Sequence, residues 1–151
     1  EKISVKCADI KDALKLYSKS VYDVVTVNPP YMRKGSGLVN ETDAKTISRH
    51  EVKCDIEDVI KTASALLKPH GKLFMVHRPS RLVDIFALMR QYKLEPKTIR
   101  FVAPTYGKEP NLVLVCGIKS AKSDLKMIPT LFVYDKNGDY TKEIDEIYGR
   151  E

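Results

Sequence analysis

An amide, two prolines and an aromatic ring follow one another at Asn28, Pro29, Pro30 and Tyr31, directly after an apolar run. Each proline fixes φ and lacks an N–H, so the turn is stiff and its carbonyls point in set directions. The Asn28 oxygen and a neighbouring carbonyl form two acceptors at a fixed spacing, which matches a planar –NH2 group and stabilises the positive charge it develops on attack. Tyr31 offers a face for base stacking. The stretch indicates chemistry on an exocyclic amine; the alternative is a rigid strand-ending turn with a surface aromatic.

Hydrophobic periodicity predicts the elements that hold this turn. A near-continuous apolar run at 22–27 is typical of a strand buried on both faces of a parallel sheet. Helices are predicted at 9–19, at 55–68 and, capped by Ser80, across a stripe from Leu82 to Met89. The other predicted strands span 3–7, 73–76, 99–103 and 112–118. A hairpin turn at 136–139 is predicted between strands 131–134 and 140–144.

Alternating strands and helices predict an α/β domain with a mostly parallel sheet. The last two main strands are joined by too short a loop for a helical crossover, so one of them is expected to be antiparallel. Open α/β sheets bind ligands at the carboxyl ends of their strands. Asn28 follows the second predicted strand and Asp9 follows the first, which places both at that edge.

Composition narrows the class of protein. The chain has 151 residues, 43% of them hydrophobic, and a net charge of +6, which suits one globular domain. Residues 93–126 carry seven Lys and Arg against three acids, which is compatible with a phosphate-bearing partner or with a solvated surface. The three cysteines are scattered without CxxC spacing, so neither a disulfide framework nor a metal site is expected. No apolar run is long enough to span a membrane, and a cytoplasmic location is expected.

The sequence resembles a known family at several places. Asn28-Pro29-Pro30-Tyr31 matches the motif of class I methyltransferases that use S-adenosyl-L-methionine (AdoMet) to methylate adenine N6 or a glutamine amide. Residues 66–73, LLKPHGKL, look like the turn before the fifth strand of that Rossmann-like fold. Segments 47–51, 76–82 and 108–112 look like those of one branch, the bacterial tRNA1(Val) adenine-N6 methyltransferases, which act on the adenosine just 3′ of the anticodon. The resemblance covers nearly the whole chain.

The resemblance implies roles for particular residues. Asn28 and the Pro29 carbonyl would accept hydrogen bonds from the target amine, and Tyr31 would stack on a base pulled out of its stack. Asp9 matches the acidic position that contacts the AdoMet adenine, with Ile10 and Asn28 also at the cofactor. The candidates for contacting the tRNA, each of which has a surface role as its alternative, are Arg33, Lys34, Arg49, His50, Arg78 and Arg81.

The sequence departs from the family at the cofactor motif. The glycine-rich loop that normally precedes these strands is not present, because the cluster Gly35-Ser36-Gly37 comes after the catalytic motif. The chain is therefore expected to be the C-terminal part of such an enzyme, beginning at its third strand. Residues 1–120 would form a partial methyltransferase domain and 121–151 an extension of the same domain. Strand edges left exposed would favour self-association.

Two other functions remain open on the sequence alone. A glutamine-N5 methyltransferase acting on a translation release factor shares the Asn-Pro-Pro-Tyr motif. A non-catalytic RNA-binding fragment would explain the basic region without any turnover. The glutamine methyltransferase would methylate a protein, whereas the expected enzyme would methylate tRNA. The non-catalytic fragment would bind RNA without turnover.

Overall fold

The structure is a computed structural model that describes residues 3–29 and 55–150. Within these ranges five strands form one sheet, and short helices lie before and between them. The strands are β1 (Tyr22–Val27), β2 (Leu67–His77), β3 (Leu94–Ala103), β4 (Leu112–Lys119) and β5 (Lys126–Phe132). The helices are α1 (Ala13–Leu16), α2 (Ile56–Leu66), α3 (Leu82–Gln91) and α4 (Lys142–Tyr148), with 3-10 turns at Ile10–Asp12 and Pro79–Arg81.

The sheet order is β1-β2-β4-β3-β5. β1 pairs parallel with β2, and β3 pairs parallel with β5. β4 lies between β2 and β3 and is antiparallel to both. Four strands therefore run in one direction and one runs against them, which confirms the mostly parallel sheet with a single antiparallel strand.

The core lies between one face of this sheet and helices α2 and α3. The predicted stripe on α2 is buried, with Ile60 fully enclosed, and it packs with residues such as Leu73, Ile85 and Val113. α2 begins where Asp55 caps it: the Asp55 side chain accepts from the backbone at Asp58, and Asp58 accepts the Asp55 N–H at 3.4 Å. This reciprocal cap explains why α2 begins where the sequence pattern predicts.

The first predicted strand is wrong. Residues 3–9 have no regular secondary structure, and Ile3 and Val5 are each 88% exposed. A strand is held by hydrogen bonds to a neighbour, and no strand of the described ranges pairs with this segment. Strand-like composition alone is not sufficient to order it. The helix predicted next is also shorter, consisting of the 3-10 turn and the single turn of α1.

β1 has the predicted bounds, but the expectation that it is buried on both faces is wrong. Val24 is 50% exposed and Tyr22 is also exposed, whereas Val25 and Val27 pack against the core. The reason is alternation along the strand: Val25 and Val27 lie on the face that packs against the core, and Tyr22 and Val24 lie on the other face.

The C-terminal hairpin is only partly present. A tight turn at 135–139 brings Tyr134 and Tyr140 together in one isolated antiparallel bridge. The second strand predicted at 140–144 is wrong, because α4 begins at Lys142 with Thr141 as its N-cap residue. The first strand is longer than predicted and starts at Lys126, since β5 pairs with β3 rather than with the chain that follows it.

Candidate active site

The turn that carries Asn28 lies at the carboxyl edge of the sheet. β1 ends at Val27, which pairs in register with Met75 of β2, and β2 ends two residues later at His77. Because these strands are parallel, the residues that follow them emerge at the same edge. The structure thus brings Asn28 and the segment beginning at Arg78 to neighbouring positions.

Asn28 and Pro29 have contrasting environments. Asn28 is exposed, whereas Pro29 is buried, so the ring anchors the turn while the amide side chain lies at the surface. Behind them Val25 and Val27 pack against the core, which holds the end of β1 in place. An exposed amide on an anchored turn can present its oxygen to a ligand without rearrangement of the backbone.

Several predicted site residues lie outside the described residues. These are the second proline and the tyrosine of the motif and four of the candidate substrate contacts: Pro30, Tyr31, Arg33, Lys34, Arg49 and His50.

Asp9 and Ile10 begin the 3-10 turn that precedes α1. Asp9 is exposed and its Oδ1 accepts the Lys11 N–H at 2.9 Å, while its Oδ2 has no hydrogen bond from the described residues. Ile10 is half-buried against the core, and the Lys11 ammonium lies 3.4 Å from the Asp58 carboxylate of α2. The turn is therefore fixed against α2, and one carboxylate oxygen is available to accept a hydrogen bond.

The two arginines after β2 have different surroundings. Arg78 donates from Nη1 to the Asn111 carbonyl at 3.1 Å, which links the end of β2 to the start of β4. Arg81 donates from Nε to Asp84 Oδ2 at 2.8 Å, and its side chain is only 14% exposed. Arg78 therefore lies along the carboxyl edge, whereas Arg81 braces the first turn of α3.

His77, the last residue of β2, is buried at this edge. It is 1% exposed, and its Nδ1 accepts the Arg78 N–H at 2.8 Å. Burial lowers the pKa of His77, and the positive charges of Arg81 and Arg78 lower it further. The strand alternation could have identified it, since Leu73, Met75 and His77 lie on the same buried face.

The described residues give little support for a functional site elsewhere in the chain. Two shallow cavities of about 260 and 380 Å³ lie around Arg90 and Glu95, at the amino end of β3 and away from the carboxyl edge. In the described part of the chain no group of three His, Cys, Asp or Glu residues is placed to hold a metal ion. None of the described helices is long and apolar enough to cross a membrane.

Sequence comparison finds several proteins named tRNA1(Val) (adenine(37)-N6)-methyltransferase. The one from Porphyromonas gingivalis is 28% identical over 148 residues, which are 95% of this chain and 57% of that protein. The one from Dyadobacter fermentans is 31% identical over 124 residues, covering 80% of this chain and 50% of that protein. The resemblance to this branch of methyltransferases is confirmed. The chain spans about half the length of these curated relatives, and no protein-family model matches it.

The fold is similar to those of solved methyltransferases. A predicted O-methyltransferase from Agrobacterium tumefaciens superposes with a TM-score of 0.72 at 23% identity, over 95% of this chain and 61% of that one. A putative DNA modification methylase from Thermus thermophilus, solved in complex with AdoMet, gives 0.54 at 15% identity, over 94% of this chain and 71% of that one. These likenesses confirm the Rossmann-like methyltransferase fold. The names of the relatives do not favour a glutamine methyltransferase.

Proposed function

We propose that this chain carries the catalytic part of an AdoMet-dependent methyltransferase that transfers a methyl group to adenine N6 in tRNA, near the anticodon. The observation that supports this most is the exposed Asn28 beside the buried Pro29 at the carboxyl end of β1, in a chain similar to enzymes named for that reaction. A tRNA substrate supports a cytoplasmic location, which is part of the proposal.

The chemistry asked of the chain is mainly positioning. The Asn28 side-chain oxygen and the Pro29 carbonyl accept the two N–H groups of the adenine amine and direct its lone pair away from the turn. As the nitrogen becomes positive, both acceptors stabilise it more strongly than they stabilise the neutral amine, which lowers the barrier. The surplus proton then leaves to water, so a strong general base is not required. Stacking of the base on Tyr31 is part of the same proposal.

The residues present fit one end of the cofactor. The exposed Asp9 carboxylate can accept a hydrogen bond from the AdoMet adenine amine, and the half-buried Ile10 offers an apolar surface beside it. AdoMet supplies a methyl group activated by its sulfonium sulfur. Isothermal titration calorimetry of AdoMet compares the unaltered chain with Asp9→Ala, which is expected to bind AdoMet more weakly; equal affinity of the two forms contradicts the assignment.

Replacement of Asn28 tests the catalytic assignment. We expect Asn28→Ala to lower the rate of methyl transfer to tRNA about 100-fold or more, because one of the two acceptors for the developing charge is lost. The measurement is transfer of labelled methyl groups from AdoMet, with tRNA affinity determined separately and expected to change little. Gln91→Ala, which removes an amide at the end of α3, next to the amino end of β3 and away from the carboxyl edge, is the matched control. Retained turnover in Asn28→Ala contradicts the proposal.

We also propose that the edge of β1 supports self-association. Among the described strands β1 pairs only with β2, so the backbone groups on its other side have no strand partner among the described residues and could pair with a second copy.

A further inference from the structure

A cluster of aromatic side chains lies at the far end of the same sheet edge, after β3 and β5. Tyr134 and Tyr140 stack with ring centroids 5.2 Å apart, and the Arg150 guanidinium lies 4.4 Å from the Tyr140 ring centre. Arg150 is also 5.0 Å from the Tyr148 ring, and Tyr106 packs against Phe132 at 5.7 Å. These aromatic residues with Arg150 are called the tyrosine surface below.

The tyrosines of the tyrosine surface pack on one another and on Phe132 and Arg150 but lie outside the buried core. Tyr106 is 88% and Tyr148 70% exposed, and Tyr134 and Tyr140 are exposed as well. The small core beneath them is built instead from three aliphatic residues, Val102, Leu131 and Ile144. Four of the eight tyrosines in the chain thus present their rings to solvent within one region.

The tyrosine surface and Asn28 lie at the same edge of the sheet. β1, β2, β3 and β5 all run in the same direction, so Asn28 and Tyr134 both follow carboxyl ends at one edge. The path between them is continuous: Arg78 bonds the Asn111 carbonyl, and the Tyr134 N–H donates to the Pro104 carbonyl at 2.8 Å. Four strand spacings separate β1 from β5, or about 19 Å, a distance that a few nucleotides of single strand can span.

The charges near the tyrosine surface favour binding of RNA through its bases over binding through its phosphates. Residues 135–150 contain five acids and three bases, and several of the acids are engaged within the protein. Asp135 accepts N–H groups of its own turn, Glu143 lies 2.7 Å from Arg100, and Asp145 lies 3.5 Å from Arg150. A surface of this kind lacks the excess of cations that a phosphate backbone requires, but it has the flat faces and the guanidinium on which bases stack.

We propose that the tyrosine surface stacks unpaired nucleobases of the RNA substrate, at nucleotides a short distance from the reacting adenosine. The proposal rests on the proposed function, since RNA is the substrate there, and it adds a second contact that holds the single-stranded loop along the sheet edge. Binding through this surface is expected to depend only weakly on salt, because few counterions are released when bases rather than phosphates are bound.

The test uses the full chain and a fluorescently labelled RNA stem-loop whose loop contains an adenosine next to the anticodon. Fluorescence anisotropy measures the affinity of the unaltered chain and of two double variants, Tyr134→Ala with Tyr140→Ala and Tyr134→Phe with Tyr140→Phe. We expect the alanine variant to bind about tenfold more weakly and the phenylalanine variant to bind like the unaltered chain, because the rings remain. Circular dichroism checks that both variants are folded.

A second arm replaces loop nucleotides one at a time by abasic sites. One such site is expected to weaken binding to the unaltered chain by the same factor and to leave binding to the alanine variant unchanged. Equal affinity of the unaltered chain and the alanine variant overturns the proposal, as does failure of the unaltered chain to bind the stem-loop. A protein partner in place of RNA would give that last result.

The two proposals fail in different ways. If Asn28→Ala abolishes methylation and the tyrosine variants bind RNA normally, only the tyrosine surface proposal is wrong. If the tyrosine variants lose RNA while no methyl transfer is found for any form of the chain, the surface binds RNA and the proposed reaction is wrong.

Discussion

His77 is enclosed at the end of β2, and this enclosure makes its protonation costly. The pKa of His77 is lowered from its ordinary value of 6.5, first by burial and then by Arg81 and Arg78. At a pH between the folded and unfolded values the unfolded chain binds a proton that the folded chain does not. The contribution of His77 to stability is therefore fully present above about pH 6.5 and is lost as the pH falls below it.

We expect the free energy of unfolding to decrease between pH 7.5 and pH 5.5, and part of that decrease to disappear in His77→Gln. Urea denaturation at the two pH values measures both quantities. His70→Gln serves as the control, because His70 is exposed in the segment before Gly71. An unchanged difference between the two pH values in His77→Gln contradicts the prediction.

The candidate site residues were easier to identify from the sequence than the contacts that surround them. The sequence places Asn28 after a strand, which the structure confirms, but its reason for placing Asp9 at the same edge was wrong, because the segment before Asp9 is not a strand. The engagement of Arg81 by Asp84 could not be predicted, since both residues suit a surface as well as a site. The burial of His77 follows from strand alternation, and that burial is the first cause of its lowered pKa, to which the nearby charges of Arg81 and Arg78 add.

Among the strands, the pairing of β1 with β2 depends on Gly71. It lies where the register shifts between the pairs Tyr22–Leu67 and Val24–Lys72. A Cβ atom there would lie 2.9 Å from the Lys68 carbonyl oxygen and 3.1 Å from the Tyr22 carbonyl oxygen. Both contacts are with backbone, so neither can be relieved by a side-chain rotation.

We expect Gly71→Ala to lower the free energy of unfolding by about 1–3 kcal/mol, the usual cost of overpacking. Thermal and urea denaturation measure the change. Lys72→Ala, at the next and exposed position of β2, is the matched control and is expected to have a much smaller effect. Equal stability of the two variants would show that β1 and β2 separate readily at this position.

Helices and strands with a clear hydrophobic pattern were predicted from the sequence. Strands whose order depends on pairing with another strand were not. α2 has an apolar stripe and an acidic cap, and β4 has an alternating buried face, so both follow from the sequence. β5 was only partly predicted, because its first four residues are exposed and its order comes from backbone pairing with β3. The segment at 3–7 shows the opposite case, in which strand composition meets no partner among the described strands.

At the scale of the molecule, the edge of β1, which pairs only with β2 among the described strands, predicts concentration-dependent association. Val24→Lys places a charge on this edge and is expected to shift the chain towards monomer, because charged side chains disfavour edge-to-edge pairing. Sedimentation velocity over a range of concentrations measures the effect. Val83→Lys, at an exposed valine of α3, adds the same charge elsewhere. Association that is equally weakened by both variants points to net charge rather than to the edge.

The edge position of β1 also affects the order in which the molecule folds. β3 and β4 are neighbours in sequence, whereas β1 meets β2 only after a connection of about 40 residues has closed, from Val27 to Leu67. Contacts of such long range form slowly, so the β3–β4 pair is expected to form first and β1 to join last. Pulse-labelled hydrogen exchange during refolding should protect amides of β4 before those of β1, and the reverse order would refute this. The strand that carries Asn28 would then be the last to join, and the candidate active site would be completed only after the rest of the sheet.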